Sequence, residues 1–330
     1  MKVKANDVLN KIKVLVVGMS TTPTLRQSDC LILQSGKAFT FSGDSFAITS
    51  LDLGFEGAVD FKLFQNLLSR YGEQEIDIDK VDAHTLKVAC GRSRSKLDFN
   101  ERVFLSISAI SQPTNNWIPI EESFVDAVTK CESVVSPNRM DDVLGSIHID
   151  IGKVEAASTA QIMRVNIQSP FNRRFLVHGG VLGSFFKAAK LEEMQLSGNW
   201  LFMRNQEVTY ATPVYDDAYL DLDSLLQPVS ADVTFPDLAN ELNICSALMS
   251  KGDLLGIELD SGASLLRLSV NTKSGQHESE VSMTSPVDVK LKIDLGLFRR
   301  ILGEFGGVCS LASNGVRVIT PELSYAASVE

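Results

Sequence analysis

Hydrophobic residues recur with two successive periods in residues 59–99. Between residues 60 and 70 the apolar side chains Leu63, Phe64, Leu67 and Leu68 follow helical spacing, which predicts an amphipathic helix. From residue 75 the pattern alternates between apolar and polar residues, as in a strand with one buried face. A second alternating run follows a polar turn. The segment therefore predicts a short helix followed by an antiparallel hairpin or meander.

The same pattern occurs twice more along the chain. The matched apolar positions are Phe64, Leu182 and Phe298, which are separated by 118 and 116 residues. A period of this length exceeds that of a solenoid repeat, so it predicts three copies of one domain. Val8 and Phe124 match at a separation of 116 residues and begin a similar run of helix and strands. We therefore expect an α+β fold of three tandem domains, each with two helix-plus-antiparallel-sheet half-units.

Turn-rich and acidic stretches place the domain boundaries. Residues 112–116 form a polar linker, and residues 216–228 form an acidic connection. The predicted domains are therefore 1–112, 113–228 and 229–330. We expect helices over about 121–135 and 236–249 to open the second and third of them. A length of 330 residues with 44% hydrophobic content suits three domains with ordinary buried cores.

Composition indicates a cytoplasmic protein. The N-terminal ten residues are polar and mixed in charge, and no apolar run is long enough to cross a membrane. The cysteines are odd in number and scattered, which favours reduced core thiols over disulfides or a metal site. They are Cys30, Cys90, Cys131, Cys245 and Cys309.

The net charge of −10 and the pI of about 5.0 argue against tight binding of DNA through a conventional basic patch. They do not exclude a protein that confines its positive charge to one surface while the rest repels phosphates.

Patterns typical of catalysis are weak, so the sequence predicts no enzyme and no cofactor. The segment that contains Gly179, Gly180 and Gly183 lacks the Lys-Ser/Thr of a phosphate loop and favours a tight helix start. The acid pairs at 141–142 and 216–217 lie in predicted turns or linkers, where solvated carboxylates are expected. The histidines show no metal-ligand spacing; they are His84, His148, His178 and His277.

Three short segments suggest a family. Residues 90–97 read Cys-Gly-Arg-Ser-Arg-Ser-Lys-Leu, and residues 22–25 read Thr-Pro-Thr-Leu before an apolar strand. Residues 265–270, with 276–281, form a predicted hairpin in the third domain. In this order, on a threefold repeat, they resemble the bacterial β sliding clamp, the ring-shaped processivity subunit of the replicative DNA polymerase.

The chain departs from that family in three ways. It is somewhat shorter. Residues 157–164 stand where the family commonly reads Ala-Thr-Asp-Gly-His-Arg-Leu-Ala, and residues 326–330 replace the typical Met-Pro-Met-Arg-Leu. The last two segments contribute to the family's partner-binding groove. A divergent clamp, of host or phage origin, would account for all three departures.

The resemblance implies that each chain forms half of a closed ring. Two chains would join head to tail as a homodimer, with twelve helices lining a hole through which double-stranded DNA passes. A mild positive field on the helices would face the phosphates. Solvated helix faces are the alternative, and acidic residues on the second-domain helices count against the pattern. The candidate DNA-binding residues that would face inward are Lys11, Lys13, Lys62, Arg70, Lys130, Lys187, Lys190, Arg299 and Arg300. Those in predicted loops, which would touch phosphates near the rim, are Arg26, Arg92 and Arg94.

The resemblance also implies an apolar groove between the second and third domains. There the replicative polymerase and the clamp loader would dock short peptide motifs. Ordinary core or interdomain packing is the alternative for Met163 and Leu226. The candidate groove residues are Ser158, Met163, Leu226, Pro228, Ala327 and Val329.

Two functions of different classes therefore remain. The first is a homodimeric sliding clamp. The second is a repeat-built viral structural or assembly protein that does not encircle DNA. A basic stripe on the helices of all three domains favours the first, whereas helices that are neutral on their exposed faces favour the second.

Overall fold

The computed structural model describes residues 1–20, 25–105, 112–136, 143–227 and 229–329. Helices and antiparallel strands alternate throughout, which confirms the predicted α+β class. The helices are α1 (Ala5–Lys13), α2 (Phe61–Tyr71), α3 (Glu122–Glu132), α4 (Gly179–Ala188), α5 (Ala239–Leu248) and α6 (Leu295–Gly303), with a 3-10 helix at Val14–Gly18 after α1.

The chain forms two compact units. Unit 1 comprises residues 1–132, 148–151 and 169–217, and unit 2 comprises residues 133–147, 152–168 and 218–330. The first fifteen strands are β1 (Lys2–Lys4), β2 (Cys30–Gln34), β3 (Lys37–Phe41), β4 (Phe46–Ser50), β5 (Gly57–Asp60), β6 (Glu75–Asp82), β7 (Thr85–Cys90), β8 (Ser93–Asn100), β9 (Ile118–Pro119), β10 (Ser146–Asp150), β11 (Lys153–Ala157), β12 (Gln161–Asn166), β13 (Phe175–His178), β14 (Glu193–Ser197) and β15 (Trp200–Arg204). The others are β16 (Val208–Tyr215), β17 (Asp232–Thr234), β18 (Leu254–Asp260), β19 (Leu265–Thr272), β20 (Gly275–Ser282), β21 (Val289–Asp294), β22 (Val308–Ala312), β23 (Gly315–Ile319) and β24 (Leu323–Ser328). The two predicted boundaries between the three domains stay a prediction.

Unit 1 is built on antiparallel pairs that continue from one predicted domain into the next. The strands follow the order β1, β6, β7, β8, β5, β2, β3, β4, β16, β15, β14 and β9. The pair β4·β16 joins the first predicted domain to the second, with Ala47 opposite Tyr210. Tyr210 is fully buried, and its hydroxyl donates to the carbonyl of Val14 at 2.9 Å. Phe185 stacks on its ring, with centroids 4.8 Å apart.

Unit 2 repeats this junction. One sheet follows the order β17, β22, β23, β24, β12 and β11, and a second follows β20, β19, β18 and β21. The pair β12·β24 joins the second predicted domain to the third, with Ile162 opposite Ala326. By position within the half-unit, β12 corresponds to β4 and β24 corresponds to β16. The same strand-to-strand junction is therefore used twice within the chain.

The helices pack in consecutive pairs, with α1 on α2, α3 on α4 and α5 on α6. The matched positions Phe64, Leu182 and Phe298 are at most 1% exposed, because each lies at the centre of its helix's apolar stripe. The helices α3 and α5 are shorter than the predicted 121–135 and 236–249. After α1 the chain continues as a 3-10 helix through a valine-rich run, where β-branched side chains disfavour further α-helix.

Helix capping follows the same repeat. Asp60 precedes α2 and accepts a hydrogen bond from the amide of Leu63 at 2.7 Å. Asp294 precedes α6 and accepts from the amide of Leu297 at 2.9 Å. These carboxylates satisfy a backbone N–H that the first helical turn leaves open. His178 holds the matched position before α4 and makes no side-chain capping bond to that helix.

Candidate functional site

The first helix pair presents four of the candidate cations. Lys11 donates to the carbonyl of Ser50 at 3.1 Å, and Lys13 donates to the side chain of Asn10 at 2.9 Å. Lys62 and Arg70 are exposed on α2. Within the described ranges none of the four lies in an ion pair with an acidic side chain. Their positive charge is therefore directed at solvent or at an external anion.

The second helix pair holds its cations differently. Lys130 pairs with Asp126 one turn earlier on α3, at 2.7 Å. Lys187 on α4 pairs with Glu132 at 3.0 Å, although its side chain is 70% exposed. Both pairings reduce the positive field that this surface offers to a phosphate. Lys190 is exposed just beyond the end of α4.

Close helix contact at a glycine makes the pairing with Glu132 possible. A Cβ atom on Gly183 of α4 would lie 2.1 Å from the carboxylate of Glu132 on α3. The helix that the glycine run predicts does begin at Gly179. Gly183 therefore allows the carboxylate to lie across α4 and to reach Lys187.

The third helix pair carries two adjacent arginines on α6 and neither lysine nor arginine on α5. Arg299 is exposed and donates to the carbonyl of Leu242 at 3.2 Å and to the side chain of Asn243 at 3.1 Å. Arg300 is half-buried, with Nε 3.6 Å from the carboxylate of Glu304. The positive charge of this pair therefore comes from one helix.

The remaining candidate cations lie outside the helices. The guanidinium of Arg26 lies 5.2 Å from the centre of the Phe104 ring. Arg92 is exposed in the turn before β8, and Arg94 is exposed on that strand. Arg94 therefore lies on a sheet strand rather than on a helix.

The candidate groove residues that the structure describes belong to unit 2 and lie on both sides of one sheet. Ile162 and Ala326 face residues 218–227, and we call this the connection-side face. Met163 and Ala327 are the next residues along the same strands, so they point to the opposite face. There Met163 is fully buried opposite Tyr325.

An apolar cluster covers part of the connection-side face. Leu222 and Leu226 are 1% and 4% exposed and pack on Ala157 and Ala326. Burial of Met163 and Leu226 is what the core-packing alternative expects. Ser158 and Val329 are half-buried at the strand ends, and Pro228 lies outside the described residues. Ala157, Ile162, Leu222 and Ala326 were absent from the candidates because those were taken by position from the family's groove-forming segments, and no local pattern in the sequence marks this cluster.

Charged groups hold residues 218–227 on the same face. Arg164 on β12 donates to Asp223 of that segment at 2.7 Å and pairs with Glu155 on β11. Burial alone would lower the pKa of the Arg164 guanidinium, but Asp223 and Glu155 outweigh that effect and raise its pKa. Lys153 lies 3.1 Å from Glu155, which is 1% exposed. The network therefore gives a buried carboxylate two cations and orders the segment above it.

The described residues contain no group of three or more His, Cys, Asp or Glu that could hold a metal ion. All five cysteines are free thiols, and burial raises the pKa of Cys309 to about 12. The acid pair 141–142 lies outside the described residues, whereas Asp216 and Asp217 are exposed. None of the helices in the described ranges has the length and apolarity needed to span a membrane.

Solved structures of bacterial sliding clamps share this fold. The DNA polymerase III subunit beta of Pseudomonas aeruginosa, bound to griselimycin, has a TM-score of 0.80 at 14% identity, covering 100% of this chain and 98% of that one. The beta chain of Streptococcus pneumoniae has a TM-score of 0.81 at 12% identity with the same coverage. The Bacillus subtilis clamp has a TM-score of 0.79 at 9% identity, again covering 100% and 98%.

At these identities the match shows the fold, and the resemblance inferred from the sequence is confirmed at that level. No protein-family model and no curated protein matches the sequence.

Proposed function

We propose that this chain is a sliding clamp, a processivity factor that encircles double-stranded DNA and tethers replication proteins to it. The observation that carries the proposal is a fold match to bacterial clamps over 100% of the chain. The chain acts without catalysis or cofactor. It works in the cytoplasm of a bacterium, either as a host protein or as a phage product.

Three tandem domains, 1–112, 113–228 and 229–330, present the helices to DNA. Eleven of the twelve candidate cations are the proposed phosphate contacts, and Arg94 is assigned below to the subunit edge. Among the helix cations, those of α1 and α2 contribute most because no acidic side chain neutralises them in the described structure. Lysine and arginine contacts to phosphates are independent of base sequence. Such contacts hold a duplex loosely enough for the ring to slide.

A homodimer closes the ring through a third copy of the junction that the chain uses twice internally. By repeat position, β20 corresponds to β4 and β12, and β8 corresponds to β16 and β24. Among the described residues β20 pairs only with β19, and residues 93–98 of β8 pair only with β7. Each subunit therefore offers one edge of each kind, as a head-to-tail ring requires.

The two edges carry opposite charge. Glu278 and Glu280 are exposed on β20, and both lie 2.8 Å from Arg267 on β19. One guanidinium cannot neutralise two carboxylates, so this edge keeps negative charge. Arg94 and Lys96 are exposed on β8 beside one exposed carboxylate, Asp98, so this edge keeps a net positive charge that complements β20. Complementary charge favours pairing of unlike edges over like edges.

Short peptide motifs of the replicative polymerase and the clamp loader dock on unit 2. The resemblance assigns to this groove Ser158, Met163, Leu226, Pro228, Ala327 and Val329, of which Leu226 packs on the connection-side face while Met163 and Ala327 point to the other. Ile162 and Ala326 of the connection-side face belong with it because they pack in the same apolar cluster as Leu226. The Pseudomonas clamp binds griselimycin, so binding of that compound to this chain is a direct probe of a comparable ligand site.

Retention on circular DNA tests the encircling proposal. Protein loaded onto a nicked plasmid is passed through a sizing column before and after one restriction cut. We expect retention on the circle and loss once the ends are free, because a ring slides off an end. Equal retention on both forms would contradict a topological grip.

Light scattering tests the dimer separately. Glu278→Lys with Glu280→Lys should yield monomers, and so should Arg94→Glu with Lys96→Glu. Mixing the two double variants should restore dimers, because each then offers the other a complementary edge. Glu322→Lys changes an exposed glutamate on a different strand connection and serves as the control. A dimer that survives either double variant would place the interface elsewhere.

The alternative is a viral structural or assembly protein that does not encircle DNA. The absence of cations on α5 and the ion pairs of α3 and α4 favour it. It predicts no difference between circular and cut plasmid and, in contrast to the clamp, assemblies larger than a dimer.

A further inference from the structure

Arg317 is a half-buried cation without a carboxylate partner in the described structure. It lies on β23 of unit 2, between Ser310 of β22 and Ala326 of β24. Its Nη1 donates to the carbonyls of Val316 at 2.9 Å and Ala327 at 3.4 Å. Its Nε is buried and has no hydrogen-bond partner among the described residues. Backbone carbonyls therefore satisfy part of the guanidinium and leave its charge uncompensated.

The position of the side chain depends on a glycine. A Cβ atom on Gly315 would lie 2.7 Å from Nη1 of Arg317. The guanidinium therefore lies flat across β23 in space that any other residue at position 315 would fill. The backbone of Gly315 does not need positive φ, so the glycine is explained by the close approach of the arginine.

The Arg317 guanidinium is partly shielded from water, and no charged neighbour among the described residues compensates for the lost hydration. Burial lowers the pKa of the Arg317 guanidinium, and no charged neighbour opposes the effect. Arg164, on the same face, differs because Glu155 and Asp223 raise its pKa. A bound anion would supply for Arg317 what those two carboxylates supply for Arg164.

The residues around Arg317 indicate which kind of anion would bind there. Ala326 places Arg317 beside the apolar cluster of the connection-side face, and Val229 and Ile319 of unit 2 are 41% and 43% exposed. Asp232 is exposed one strand beyond Ser310 and disfavours a doubly charged ligand. One cation, apolar neighbours and a nearby carboxylate suit a monoanion attached to an apolar group. A peptide with an acidic residue next to an apolar residue has this chemistry.

We propose that Arg317 binds the carboxylate of a docked peptide and so selects partners that carry an acidic residue beside the apolar anchor. This inference rests on the proposed docking of partner peptides in unit 2. It assigns to Arg317 a role in partner specificity that none of the candidate groove residues supplies.

Two matched dipeptides test the proposal on the full chain. N-acetyl-leucyl-aspartate amide and N-acetyl-leucyl-asparagine amide have nearly the same shape and differ by one charge. Binding is followed by the shift of the arginine Nε–H signals in proton–nitrogen spectra. We expect the aspartate dipeptide to bind about tenfold more tightly and to move the Arg317 signal, as one charged hydrogen bond predicts. Equal binding of the two dipeptides would overturn the proposal.

Variants at positions 317 and 315 test which residues cause the preference for the aspartate dipeptide. Arg317→Gln should reduce the tenfold preference to about one, Arg317→Lys should keep part of it, and Gly315→Ala should weaken it by displacing Nη1. Arg173→Gln removes an exposed arginine of unit 1 and should leave the preference unchanged. Because glutamine still donates to the two carbonyls, folding of Arg317→Gln can be checked by its thermal transition. If Arg317→Gln still prefers the aspartate dipeptide, another residue binds the carboxylate and the proposal fails.

One further outcome would also overturn the proposal. Methyl phosphate that displaces the aspartate dipeptide more effectively than acetate would make this a nucleic-acid phosphate site. Arg317→Gln should stay on circular DNA like the unmodified chain. If the unmodified chain is not retained on circular DNA, the clamp proposal is contradicted, whereas the dipeptide result is unaffected.

Discussion

The helix pairs α1/α2 and α3/α4 lie in the same compact unit and bury matched apolar positions, yet they hold their cations in opposite ways. Val8 and Phe64 in the first pair correspond to Phe124 and Leu182 in the second, and all four are at most 2% exposed. On α1 and α2 the cations have no acidic partner in the described structure. On α3 and α4 Lys130 and Lys187 are in ion pairs.

The difference shows which features the copies of the repeat must share and which can vary. The apolar stripe must stay apolar because each helix pair is stabilised by burial of that stripe. The exposed face carries no such requirement, so its charge has varied between copies. Position 65 of α2 is glutamine, its match at 183 is glycine, and its match at 299 is arginine. Function on the exposed face is therefore expected to be unequal among three copies of one fold.

The largest predicted effect tests the shared apolar stripe. Phe64→Ala should destabilise unit 1 by about 4 kcal/mol and Leu182→Ala by about 3 kcal/mol, because each leaves a cavity in a filled core. Lys62→Gln on the exposed face should change stability by less than about 0.5 kcal/mol. Equilibrium urea unfolding measures all three. A cost below about 1 kcal/mol for either core variant would contradict the equivalence of the two positions.

A smaller effect is expected at the glycine that distinguishes the pairs. Gly183→Ala places a Cβ atom 2.1 Å from the Glu132 carboxylate, so the carboxylate must move and its ion pair with Lys187 is lost. We expect a loss of about 1 kcal/mol or less, because the carboxylate is the movable end of a side chain and alanine is a better helix former than glycine. Gln65→Ala at the matched position of α2 should be nearly neutral. Combining Gly183→Ala with Glu132→Ala should restore stability if the clash is the cause.

Unequal binding of DNA is the next prediction. Lys62→Gln with Arg70→Gln should reduce affinity for a short duplex roughly tenfold and lower the salt slope by about 2, since each phosphate contact contributes about 0.9. Lys130→Gln with Lys187→Gln removes the same number of cations, but it should lower the slope by less than about 1 because Asp126 and Glu132 already neutralise them. Fluorescence anisotropy across a salt series measures both slopes.

Equal slopes for the two double variants would show that the ion pairs of α3 and α4 open when DNA approaches. Glu132→Gln would then leave the slope unchanged. If the ion pairs persist, that variant frees Lys187 and should raise the slope instead.

The sequence predicted the fold where the signal is local. Helical spacing around Phe64 and its repeat at Leu182 and Phe298 predicted the α+β half-units, because burial of one stripe leaves a periodic pattern. Strand pairings such as β4·β16 join residues that are more than 150 positions apart, and no local pattern specifies them. The resemblance to clamps was carried by short segments, and the fold match over the whole chain confirms it.

Site residues are harder to predict because the groove candidates were taken by position from a family resemblance. One residue along a strand separates Ile162 from Met163, and these two side chains lie on opposite faces of the sheet. Neutralisation of Lys187 depends on Glu132, which is distant in sequence and adjacent only because Gly183 lets the helices approach. Arg317 has no motif in the sequence, since its character comes from what surrounds it.

The most local predicted effect concerns the capping position that the helix pairs do not share. Asp60→Ala removes the 2.7 Å hydrogen bond to the amide of Leu63 and should cost about 1 kcal/mol. His178→Ala should not affect the first turn of α4 in this way, because His178 makes no side-chain capping bond to it.

Hydrogen exchange resolves this effect within a chain of two units, where a single unfolding midpoint would average it. A cost of about 1 kcal/mol should speed exchange of the first-turn amides of α2 by about fivefold. Asp60→Asn keeps an acceptor and should retain most of the protection. If His178→Ala speeds exchange in α4 as much as Asp60→Ala does in α2, the two helix starts are equivalent and the contrast between the pairs is confined to their exposed charge.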